Sequence, residues 1–173
     1  MIMSGYYFRI VFLLLAAWLA SGISVLAAGS GTIQMDAERK LVTLTDGQGQ
    51  LALRLNYNSR CVLDQVIVRG REVAAASGVA SGIRMDGRWF TTKTGIASPS
   101  VTIKKNTLTV TGITFGQPGN EVHETWRFTV LTNQILWRIT RKYSTPATLE
   151  DAAFHEWDFR RMSTWTGGML DDG

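Results

Sequence analysis

Residues 149–159 read LEDAAFHEWDF and gather the side chains best suited to chemistry in this chain. His155 and Glu156 are adjacent, Asp158 follows, and Glu150 and Asp151 stand upstream. On a strand, alternation puts His155 with Trp157 and Phe159 on one side, and Glu156 with Asp158 on the other. Two carboxylates on one face suit metal binding or shared acid/base work. A charged edge strand that resists aggregation has the same pattern, and that plainer reading is favoured. The only other histidine, His123, falls on the polar face of its strand and reads as a surface residue. No H-E-x-x-H spacing, P-loop, G-x-G-x-x-G or G-x-S-x-G is present, and GMLDDG lacks the ligand pattern of an EF-hand. No cofactor is expected.

Cys61 is the sole cysteine, so no intramolecular disulfide can form. It sits among apolar residues with no base nearby in sequence, and reads as a buried thiol rather than a nucleophile. Five tryptophans follow the N-terminal region: Trp89, Trp126, Trp137, Trp157 and Trp165. Indole faces can stack on sugar rings, as they stack on other flat groups. Trp126 and Trp137 lie on apolar strand faces and are expected in the core. Trp89, in DGRWF, and Trp165, in STWTGG, are the candidates for a carbohydrate platform.

These residues need elements to position them, and the elements read as strands. In QLALRLNY, Leu51, Leu53, Leu55 and Tyr57 share a face. In VHETWRFTV, Val122, Trp126, Phe128 and Val130 do; in QILWRITRKY, Ile135, Trp137, Ile139 and Tyr143 do. A period of two marks antiparallel strands with one buried face. Shorter candidates are 32–36, 41–45, 61–68, 101–105 and 107–115, parted by turn signals such as Asp46-Gly47, Asp86-Gly87 and Thr132-Asn133. VLTNQIL reads as a tight hairpin. Gly112 shifts the alternation from Leu108 and Val110 to Ile113 and Phe115, as a β-bulge would. Residues 70–82 are alanine-rich but cut by Gly78 and Gly82, which favours a loop or strand edge. About nine or ten short strands predict an all-β, antiparallel β-sandwich.

Arg9 precedes an apolar run, Ile10 to Ala20, that fades into small residues. The run is too short for the roughly 20 residues that span a bilayer. It reads as a signal-peptide helix over 1–28, with cleavage after Ala27 or Ala28, and a sandwich domain over 29–173. Export without disulfides fits a bacterial periplasm or secretion. The formal charge of +4 is scattered rather than blocked, which argues against nucleic-acid binding. No membrane contact is expected after cleavage.

The run HETWRFTVLTNQILWRITRKYSTPATLEDAAFHEWDF resembles a pattern in exported bacterial carbohydrate-active proteins. One strand carries Trp126 and Phe128, a short turn follows, and the next carries Ile135, Trp137, Ile139 and Arg141. This is similar to the N-terminal, galactose-mutarotase-like supersandwich that precedes an (α/α)6 barrel in several glycoside hydrolases. The likeness covers residues 121 to 165, and LEDAAFHEWDF then looks like the next strand of the same sheet. It implies a non-catalytic domain of a secreted sugar-processing enzyme, whose acid and base lie on the helical domain, so no catalytic residue carries over. It also implies that STWTGGMLDDG joins a further domain, against which Trp165, Met169 and Leu170 would pack. A stand-alone carbohydrate-binding module using Trp89 and Trp165 is the alternative. A small mutarotase- or lyase-like enzyme using His155 with Glu156 or Asp158 is the third reading.

Overall fold

A computed structural model describes residues 30–94, 98–146, 148–157 and 159, without the side chains of Phe154 and His155. Residues 1–28, expected to be a signal peptide, lie outside the described residues, as do Asp158 and Trp165. Twelve strands occur among those described and no helix does. They are β1 (Thr32–Asp36), β2 (Leu41–Thr45), β3 (Leu51–Asn56), β4 (Val62–Val68), β5 (Arg71–Glu72) and β6 (Ala80–Met85). Then come β7 (Arg88–Thr91), β8 (Ser100–Lys104), β9 (Thr107–Gln117), β10 (Asn120–Val130), β11 (Ile135–Tyr143) and β12 (Asp151–Glu156).

Every paired strand is antiparallel, in three sheets ordered β1-β2-β3-β4-β5, β11-β10-β9-β8 and β12-β6-β7. Alternation decides what the first two sheets bury. Val42, Leu44, Leu53 and Leu55 from the first share one core with Leu108, Val110, Trp126 and Phe128 from the second. That shared core is consistent with a β-sandwich. Trp126 is buried, and Trp137 packs against it with ring centroids 4.7 Å apart at 62°. Trp137 also stacks on Phe128 at 5.2 Å and 22°. Trp126 is a core tryptophan, as its strand face predicts, and Trp137 is half-buried against the same core.

The hairpin in VLTNQIL joins β10 to β11, whose register sets Phe128 opposite Trp137 and Glu124 opposite Arg141. Asp46 holds the β2–β3 turn: its Oδ1 accepts from the Gln50 amide at 2.7 Å and the Leu51 amide at 3.0 Å. The bulge at Gly112 is present. Ile113 pairs Glu124 and Val110 pairs Trp126, so Thr111 and Gly112 together face Thr125. The extra residue lets both Val110 and Ile113 point into the core. Gly112 has φ 77°, where any side chain is strained.

Two expectations are corrected. The segment 70–82 is not merely loop or edge, because β6 begins at Ala80 and pairs with β7 and β12. β6 is buried on both faces over Ala80–Ile83, so ASGIRM shows no alternation to read until the exposed Arg84. In addition, β12 is a strand but does not continue the sheet of β10 and β11; it pairs with β6. Glu150 draws it there. Its amide donates to Arg84 O, its carboxylate lies 3.1 Å from Arg84 Nε, and it accepts from the Gly87 amide at 2.9 Å.

The third sheet meets the first through a bridge between Leu63 and Val79. Gly78 permits this approach: it has φ 73°, and a Cβ there would lie 2.5 Å from Leu63 O. A Cβ at Gly112 would meet nothing within 4 Å. Gly112→Ala should therefore cost about 1 kcal/mol from backbone strain alone. Gly78→Ala should cost at least about twice that, from strain plus displaced backbone. Urea unfolding followed by tryptophan fluorescence measures both.

Candidate functional site

Of the residues best suited to chemistry on β12, the side chains of Asp151 and Glu156 are described; Asp151 is exposed and accepts from the Ala152 amide at 2.7 Å, leaving Glu156 as the candidate. It is half-buried, and its carboxylate lies 2.9 Å from Lys93 Nζ. A partly exposed pair of this kind contributes at most about 1 kcal/mol. Among the described residues no group of three or more His, Cys, Asp and Glu is placed to hold a metal. His123 is exposed on the outer face of β10, with Nδ1 3.1 Å from Thr114 Oγ1. Cys61 is buried and not in a disulfide. Burial pushes its thiol well above the ordinary value, and the nearby Glu124 charge pushes it further. A thiol kept protonated in this way is a poor nucleophile.

The densest polar cluster was missed by reading alternation as apolar rows alone. Glu124 and Arg141 occupy inward positions among Val122, Trp126, Ile139 and Trp137, directly opposite each other across β10 and β11. Arg141 Nε donates to Glu124 Oε1 at 2.7 Å, with side-chain exposures of 3% and 0%. Trp126 Nε1 donates to Glu124 Oε2 at 2.7 Å. Ser81 Oγ lies 2.7 Å from Glu124 Oε1 and accepts from Arg141 Nη2 at 2.6 Å. Ala153 O is 3.2 Å from the same hydroxyl, but its single proton belongs with the nearer, charged carboxylate. Arg141 Nη2 also donates to Ala153 O at 3.0 Å and Gly82 O at 3.2 Å.

A serine, a carboxylate and a guanidinium in contact suggest catalysis on paper. Here Ser81 and Glu124 are buried, and neither lines the depression beside Trp89 or the one beside Gln34. The cluster instead ties β10 and β11 of the second sheet to β6 and β12 of the third. Its signal was in the sequence: one acid and one base, each at apolar parity, on two strands joined by a hairpin.

Trp89 does reach the surface. It is 48% exposed on β7, opposite Arg84 of β6. It stands at an open depression of about 230 Å³, with Phe90, Thr91, Thr94, Phe115 and Gly116. Gln117 Nε2 donates to Asp86 Oδ2 at 3.3 Å, which fastens the β6–β7 turn to the end of β9 beside this depression. Among the described residues Trp157 is the other exposed tryptophan, stacked on Phe159 with centroids 5.7 Å apart at 10°. No protein-family model matches the chain, and no curated protein or solved structure matches it significantly. Function is therefore argued from these surfaces.

Glu124→Gln strands the buried Arg141 charge and should destabilise the protein by about 3–5 kcal/mol in urea unfolding. Ser81→Ala, which removes one neutral group from the cluster, should cost about 1–3 kcal/mol. Cys61 should resist iodoacetamide in the native state and react only on unfolding. Because the folded protein holds the thiol proton more tightly, stability should fall as pH rises above about 8.5, the value for an unfolded thiol.

Proposed function

We propose that this chain is a non-catalytic, sugar-binding β-sandwich of an exported carbohydrate-active protein. The observation that carries the reading is Trp89, half in solvent at the edge of a shallow, aromatic-lined depression. A flat indole beside Phe90 and Phe115 offers a sugar ring an apolar face, and Thr91 and Thr94 offer hydroxyls at the same place. The acid–base candidates give less support to turnover, since Glu156 is engaged by Lys93 and Ser81 is sealed from solvent. The likeness of the β10–β11 hairpin to the galactose-mutarotase-like supersandwich of glycoside hydrolases agrees with this role. Trp165, the other platform candidate, lies outside the described residues.

A second reading has its own support. Trp157 is 42% exposed and stacks on Phe159 just beyond β12. A paired aromatic surface there suits packing against a helical catalytic domain of the same protein.

A panel of neutral oligosaccharides tested against the purified protein separates the two. Sugar binding that Trp89→Ala weakens by about tenfold, or about 1.4 kcal/mol, supports the first reading. Binding that Trp89→Ala leaves unchanged removes it, and absence of binding by the wild type leaves the packing role as the better account.

A further inference from the structure

The outer face of the second sheet holds cations that the fold does not use. Alternation turns Trp126, Phe128 and Ile139 inward, and turns Arg127, Arg138 and Lys142 to solvent. Arg127 and Arg138 stand directly opposite each other across β10 and β11. Side chains in that relation are about 5 Å apart at Cβ, and like charges there repel. On its other side Arg127 faces Thr109, which in turn faces Thr102 of β8. Thr125 faces Thr140 beside the arginine pair.

Threonine alone is an ordinary choice for a solvated strand face. Two arginines facing each other across a ladder single this one out. Five other arginines lie near a carboxylate: Arg39 with Asp36, Arg54 and Arg60 with Asp64, Arg84 with Glu150 and Arg141 with Glu124. Arg71 and Arg88 have no such ion pair among the described residues, but they face Val68 and Met85 rather than another arginine. Among the described residues Arg127, Arg138 and Lys142 have no such partner. The one carboxylate at outward parity on these strands is Glu121, at the far end, where it accepts from the Gly119 amide.

We propose that this face binds an acidic polysaccharide, with one carboxylate or sulfate group bridging Arg127 and Arg138 and neighbouring threonines meeting the sugar hydroxyls. Two guanidinium groups side by side match an oxyanion held by charge-assisted bonds, and a bound anion relieves their repulsion. A flat row of short hydroxyl side chains suits an extended polymer. The face fits other polyanions less well. Membrane surfaces are held by inserted apolar side chains, and Leu136 is the one large apolar residue at outward parity on β11. Single-stranded nucleic acid calls for aromatic stacking platforms, and no Phe, Tyr or Trp stands at outward parity on β10 or β11, Tyr143 being exposed only at the end of β11. The proposal rests on the carbohydrate reading of the chain but uses a different surface from Trp89, so the two fail separately.

Affinity electrophoresis or calorimetry of the purified protein with polygalacturonate tests it, at low salt and at about 0.15 M salt. Binding should weaken with salt. R127Q/R138Q should weaken it by about tenfold, two exposed charge pairs' worth. R69Q/R71Q, which removes the same charge from the other end of the molecule's first sheet, should change it by less than about twofold. Trp89→Ala should leave it unchanged. Thermal unfolding of both double variants should match the wild type, since all four side chains are solvent-exposed. No binding, or equal loss in both double variants, overturns the proposal. So does tighter binding of phosphatidylserine vesicles or single-stranded DNA through the same two arginines.

Discussion

Removing a carboxylate and a guanidinium from water costs several kcal/mol for each ion, and their attraction repays this only when nearly every donor and acceptor is met. Glu124 and Arg141 meet that condition with four neighbours: the Trp126 indole, the Ser81 hydroxyl and the Gly82 and Ala153 carbonyls. They come from three different strands. The pair therefore works as a fastening: β10 and β11 are fixed to each other by their ladder, and through Arg141 and Ser81 to β6 and β12. A sheet of only three strands, one of them opening on Ala80, Ser81 and Gly82 with Ile83 and Met85 as its large buried apolar residues, has limited apolar surface with which to hold itself in place.

That fastening governs what reaches the surface. The β6–β7 hairpin carries Trp89, and its position over the end of β9 depends on β6 being held against the second sheet. The acid–base cluster and the aromatic depression are thus linked as support and supported. Inner faces are spent on packing and on one ion pair. What remains for ligands is the rim around Trp89 and the outward face of β8 to β11.

Strands with one wet face were legible in the sequence. β2, β3, β9, β10 and β11 alternate cleanly, and even the bulge at Gly112 shows as a change of phase. β6 was not legible, because burial on both sides erases the period and its residues have weak strand preference. The partner of β12 was not legible either, since a strand's own sequence does not say which edge it joins. For the candidate residues, the exposure of Trp89 was legible in its turn-rich setting and the burial of Cys61 in its apolar neighbours. Glu124 was passed over although its parity marked it: a charge among inward apolar positions needs an opposite charge, and Arg141 stood at the facing register. Ser81, the third member, carries no such mark.

Native-state hydrogen exchange on Arg141→Met tests this account most directly. Loss of the guanidinium should release the Ala80–Met85 and Asp151–Glu156 amides, raising their exchange by an order of magnitude or more, about 1.4 kcal/mol, relative to those of Leu41–Thr45 and Leu51–Asn56. A uniform rise across all sheets, or no change in β6 and β12, would contradict the claim that this buried pair holds the third sheet to the rest.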